Sequence, residues 1–107
     1  MDKHVCIKNN YLFIQMPREV DHYKSEIIRQ KADELLKNPK VEHIVFDFAD
    51  TDFMDSSGIG VIVGRYQKIA CFGGRVIAIH ASERIKRIIL MSGMQRFIEI
   101  SETEYTV

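Results

Sequence analysis

Residues 43–70 read HIVFDFADTDFMDSSGIGVIVGRYQKIA, and this stretch decides the fold. His43-Ile44-Val45-Phe46-Asp47-Phe48 is nearly continuous in β-forming residues, the pattern of a strand covered on both faces. From about Ser57 to Ala70 the period changes. Ile59, Ile62, Val63, Tyr66 and Ile69 recur at helical spacing, and Gly73-Gly74 ends the run. A strand that leads through a short polar segment into an amphipathic helix is the repeating unit of an α/β sheet.

Upstream, His4 to Lys8 and Tyr11 to Met16 flank Asn9-Asn10, a pair that tolerates the backbone of a two-residue hairpin turn. That turn sets Ile7 opposite Leu12 and Val5 opposite Ile14. Pro17 ends the second strand. Asp21 is a candidate N-cap for a helix to about Lys37 carrying Ile28, Ala32, Leu35 and Leu36 inward, with Pro39 beyond its end. Downstream, Arg75 to Ile79 reads as a strand. Ser82 caps a short helix that turns Ile85, Ile88 and Ile89 inward and closes near Ser92-Gly93; Phe97 to Ile100 reads as a last strand. The predicted order is ββαβαβαβ: an α/β fold with a mixed β-sheet, an N-terminal hairpin and three main helices packed on it.

With 107 residues, the chain suits a single domain, 1–107. Its hydrophobic fraction of 46% is that of a globular protein. Fifteen basic residues balance fifteen acidic ones, so no net field favours nucleic acid or an anionic membrane. No apolar run approaches the roughly 20 residues of a bilayer span, and nothing directs export, so the expected location is cytoplasmic, away from the membrane. Cys6 and Cys71 form no close-spaced motif and are expected to be buried hydrophobes.

The chemistry concentrates in Asp50 to Gly60. Loops that follow strand C-termini in open α/β sheets are where ligands and partners bind, and the helix behind offers unpaired N–H groups. A serine in its first turn could carry a phosphate without melting it. Capping alone also selects Asp55, Ser56 and Ser57 at such a place, and spacing does not separate the two readings. Gly58 and Gly60 are costly in a first turn, by about 1 kcal/mol each relative to alanine, which implies close approach to the backbone.

Other chemistries fit less well. Gly58, Gly60 and Gly64 depart from the dinucleotide fingerprint, and the next strand ends without an acidic ribose partner. Asp47, Asp50, Asp52 and Asp55 suggest a metal or an aspartyl phosphoacceptor, but a receiver's acidic pair and late lysine are missing, and solvated acids explain them. A nucleophilic serine needs a base from His4, His22, His43 or His80, and no Gly-x-Ser-x-Gly elbow is present. Arg65, Arg84, Lys86 and Arg87 read as solvated faces. No cofactor is called for.

The segment Phe53 to Tyr66, FMDSSGIGVIVGRY, resembles the signature of the STAS-domain anti-sigma factor antagonists, nearest those of the sigma-F pathway in endospore-forming bacteria. The similarity extends to Glu19-Val20-Asp21-His22, His43-Ile44-Val45, Gly73-Gly74 and Met91-Ser92-Gly93, which covers nearly the whole chain. It implies a STAS fold and a binding role in place of catalysis. The serine after the aspartate, Ser56, is then the residue phosphorylated by a partner that is both anti-sigma factor and serine kinase. The unphosphorylated form binds that kinase and releases the sigma factor; the phosphorylated form does not bind until a serine phosphatase removes the phosphate. By the same resemblance Glu19, Asp21, Asp55, Ser57, Gly58, Ile59 and Gly60 belong to the partner-binding region. The resemblance also admits a STAS module of another partner-switching or stress-response cascade. Where family members often have Gly before that Glu, this chain has Pro17-Arg18.

Overall fold

The computed structural model describes residues 4–102. In chain order the elements are β1 (Val5–Lys8), β2 (Tyr11–Gln15), β3 (Glu19–Val20), α1 (His22–Leu35), β4 (His43–Asp47), β5 (Phe53–Met54), α2 (Ser56–Ala70), β6 (Val76–Ile79), α3 (Glu83–Ser92), a 3-10 turn at Met94–Arg96, and β7 (Glu99–Ile100). The main sheet runs β1-β2-β4-β6-β7. Its hairpin is antiparallel and every other neighbour parallel. The expected architecture is therefore present, with one addition: β3 and β5 form a separate two-stranded parallel ribbon.

The hairpin closes as its residues require. Asn9 takes φ +56°, and the register sets Val5 against Ile14 and Ile7 against Leu12. Alternation along β2 and β4 sends Leu12, Ile14, Ile44 and Phe46 into the main core at 0% exposure. There they meet Ile28 and Ala32 of α1, Ile62 and Ile69 of α2, and Ile85 and Ile89 of α3, so all three helices pack on one face. Each of the larger of these side chains, withdrawn from water, contributes roughly 1.5–3 kcal/mol. On the opposite face Val45, Ile77 and Ile79 cluster with Tyr11 and Phe13. That is why β4 is apolar at consecutive positions.

The ends differ by a residue or two from expectation. α1 stops at Leu35, because Leu36 already serves as its C-cap. β7 keeps only Glu99 and Ile100, since the 3-10 turn takes up the chain before it and Phe97 stays half-exposed. Two burial expectations fail. Cys6 is half-buried on β1, opposite Phe13 and away from the helices, and Cys71 is exposed at the end of α2, beyond the last inward residue.

Arg65 is likewise no solvated residue. The buried stripe of α2 runs through Gly58, Val61, Ile62, Arg65 and Ile69, and the Arg65 side chain is only 6% exposed. Its Nε lies 3.0 Å from Asp33 Oδ1 on α1, close enough for charge pairing but not aligned as a hydrogen bond. Burial pushes the Arg65 guanidinium below its ordinary range, and Asp33 opposes that shift. Arg84 and Arg87 are exposed as expected, while Lys86 pairs with Glu102 at 2.7 Å.

Candidate functional site

The β3–β5 ribbon builds the site. Glu19 pairs with Phe53 and Val20 with Met54 in parallel. The next residue on each strand is an aspartate: Asp21 at φ −97°, ψ −176°, and Asp55 at φ −93°, ψ −174°. Both are helix N-caps. Asp21 Oδ1 accepts from the Lys24 N–H and Asp55 Oδ1 from the Ser57 N–H, each at 2.8 Å. The Asp55 N–H donates to the Val20 carbonyl at 3.1 Å. Two helices thus begin side by side and in step, with their positive dipole ends at one surface.

The segment entering β3 is laced to the one entering β5. The Arg18 carbonyl accepts from Asp52 N–H at 2.8 Å and Phe53 N–H at 3.3 Å. Buried Thr51 donates its hydroxyl to the Pro17 carbonyl at 2.9 Å. Arg18 Nε meets Asp52 Oδ2 at 2.8 Å, which raises the guanidinium pKa. Both side chains are well exposed, so this ion pair adds little stability. Pro17-Arg18 therefore sits in a loop pinned by backbone bonds that do not depend on its side chains.

α2 begins at Ser56, one residue earlier than its pattern predicts. Ser56 is exposed, and its hydroxyl makes no hydrogen bond among the described residues. Ser57 is half-buried, with its Oγ 3.4 Å from His22 Nδ1, a long contact across the two helix ends. Gly58 is buried under the ribbon: a Cβ there would meet Met54 Cγ, and would lie 2.8 Å from both Met54 Sδ and Val20 Cγ1. Gly60 has nothing within 4 Å of its Cβ position. The close approach expected at both glycines is therefore internal packing at Gly58 and open surface at Gly60. Ile59 is half-buried, Glu19 exposed, and Phe53 and Tyr23 stand 47% and 71% exposed nearby.

The remaining acids and histidines are spread out. Asp47 accepts from the Ala49 N–H and meets His80 Nδ1 at 2.8 Å; Asp50 accepts from Gln15, and His43 from the Arg75 N–H. No three His, Cys, Asp or Glu residues among those described are placed to hold a metal. Among the contacts of the described residues, His22 is the histidine that reaches the serine pair, and it reaches Ser57. The sequence reading missed that contact, the β3–β5 ribbon behind it, and buried Arg65. Two-residue strands carry no periodicity, and the best available signal was the repeated pattern of aspartate before a helix at Asp21 and Asp55.

Fold and site together define a small α/β module that presents an unengaged serine at a strand-to-helix junction. A STAS domain model matches residues 3–107, and the chain belongs to the STAS domain family. It is 36% identical over 93 residues to an anti-sigma F factor antagonist of Paenibacillus polymyxa, covering 87% of this chain and 80% of the relative. To an anti-sigma-B factor antagonist of Bacillus subtilis it is 31% identical over 103 residues, covering 94% and 93%. Among solved structures it resembles the unphosphorylated form of the anti-sigma factor antagonist SpoIIAA, with TM-score 0.75, 25% identity, and 92% and 86% coverage. The phosphorylated form of the Bacillus cell fate determinant SpoIIAA gives TM-score 0.72 and 28% identity, with 92% and 88% coverage. No helix among the described residues is long and apolar enough to cross a membrane.

Proposed function

We propose that this chain, taken as one STAS domain over 1–107, is an anti-sigma factor antagonist switched by phosphorylation on Ser56. The unphosphorylated form binds an anti-sigma factor that is also a serine kinase, and so releases a sigma factor. The phosphorylated form does not bind until a serine phosphatase removes the group. The module acts in the cytoplasm as substrate and competitor, with no catalytic role of its own.

The observation that carries this reading is the contrast between adjacent serines. Ser56 is exposed and unengaged, while Ser57 lies partly inside against His22. Relatives named as anti-sigma factor antagonists, and the existence of SpoIIAA in phosphorylated and unphosphorylated forms, support it. A phosphate adds about −1.5 to −2 charges beside Asp55, at a helix end that tolerates an anion. The fold need not change; a partner fitted to the unmodified surface instead meets bulk and repulsion. Each 1.4 kcal/mol of that penalty weakens binding about tenfold. Glu19, Asp21, Asp55, Ser57, Ile59 and Gly60 surround the acceptor and form the docking region, with Gly58 packed beneath it and Gly60 leaving room for the partner's backbone.

The relative from the sigma-B system, which matches 94% of this chain, favours a second reading in which the same switch serves a stress-response cascade. Incubation with the cognate kinase and ATP, followed by peptide mass mapping, tests the common claim. Label on Ser56 is expected. Label on Ser57 alone, or none, refutes it.

A further inference from the structure

We propose that the His22 imidazole is the counter-group of the Ser56 phosphate, so that protonation of His22 and charge on the phosphate are coupled. This deepens the reading above and rests on Ser56 being the modified residue. His22 is the first residue of α1, as Ser56 is of α2, and the parallel β3–β5 pairing brings these two starts together. His22 Nδ1 already lies 3.4 Å from the Oγ of Ser57, the neighbour of the acceptor. Among the described residues it is the one titratable side chain within hydrogen-bond reach of either serine's hydroxyl.

The other charges at this end are committed elsewhere. Asp21 and Asp55 accept from backbone N–H groups, Arg18 pairs with Asp52, and Glu26, one turn along α1 and the carboxylate that His22 already feels, is hydrogen-bonded by Arg29 and Gln30. Lys24 lines a groove on another flank of α1 with His4, Arg18, Lys31 and Asp50. Glu19 is exposed and can only repel an anion. His22 remains as the available cation.

A phosphoserine's second proton leaves near pH 6, so its charge changes within the accessible pH range. An imidazolium favours the dianion and lowers the phosphate's second pKa. By reciprocity the dianion raises the pKa of His22. For unit charges about 6 Å apart in water-like surroundings, each shift is about half a pH unit.

The test uses the full chain phosphorylated by its cognate kinase, with the site mapped by mass spectrometry. Phosphorus NMR titration from pH 5 to 8 follows the phosphate in the parent and in His22→Gln. Ring-nitrogen NMR follows His22 in the parent with and without phosphate, which needs no variant to fold. The inference expects a phosphate pKa about half a unit lower in the parent than in His22→Gln, and a His22 pKa raised by phosphorylation. Phosphate on Ser56 with both titrations unmoved overturns this inference and leaves the phosphorylation reading standing. Phosphate mapped away from Ser56 overturns both.

Discussion

Replacing Gly58 by alanine and, separately, Gly60 by alanine perturbs the same helix turn with opposite expected signs. At Gly58 the added methyl enters space held by Met54 and Val20, which are 1% and 0% exposed, and lies 2.8 Å from both Met54 Sδ and Val20 Cγ1. Overpacking a core in this way costs about 1–3 kcal/mol. Alanine recovers up to about 1 kcal/mol of helix propensity. The net loss for Gly58→Ala is about 1–2 kcal/mol, or about 4–8 °C in Tm for a domain of this size. At Gly60 the methyl meets nothing, so only the propensity gain remains and stability rises by a few tenths to about 1 kcal/mol. Urea and thermal melts of both variants beside the parent give the answer. A Gly58→Ala protein as stable as the parent, or a Gly60→Ala protein equally damaged, would refute the assignment of Gly58 to internal packing and Gly60 to open surface.

Two further outcomes are expected from the ion pairs. Asp33→Ala leaves the buried Arg65 charge without its partner and is expected to cost about 2 kcal/mol in urea unfolding, while Glu34→Ala on the exposed side of α1 stays within about 0.5 kcal/mol of the parent. Hydrogen bonds from Arg29 and then Gln30 lower the Glu26 pKa from 4.5 to about 2. Its contribution is therefore present above pH 4.5 and lost as pH falls toward 2, so Glu26→Gln should flatten the dependence of the urea midpoint on pH in that acid window.

How far the fold was legible follows from where periodicity exists. Alternation in β1, β2 and β4 and the helical spacing of Ile59, Ile62 and Ile69 report burial directly, and the hairpin register followed from Asn9-Asn10. The capping residues Asp21 and Ser82 did their expected work, because a side-chain oxygen before a helix has few other uses. β3 and β5 were invisible because two residues hold no period, yet their pairing sets α1 and α2 side by side. Arg65 misled for another reason. A charged residue on a helix is usually solvated, and only the tertiary neighbour Asp33 shows why this one is buried. At the candidate site, the serine motif and its glycines were readable. What separates Ser56 from Ser57, and Gly58 from Gly60, is which side of the turn faces α1 and the ribbon.

The most direct measurement is calorimetric binding of the anti-sigma kinase to the unmodified chain and to chain stoichiometrically phosphorylated at Ser56. Affinity about a hundredfold weaker for the phosphorylated form, about 3 kcal/mol, is the result expected of a switch that works by charge and bulk on an unchanged fold. Equal affinities for the two forms would contradict it.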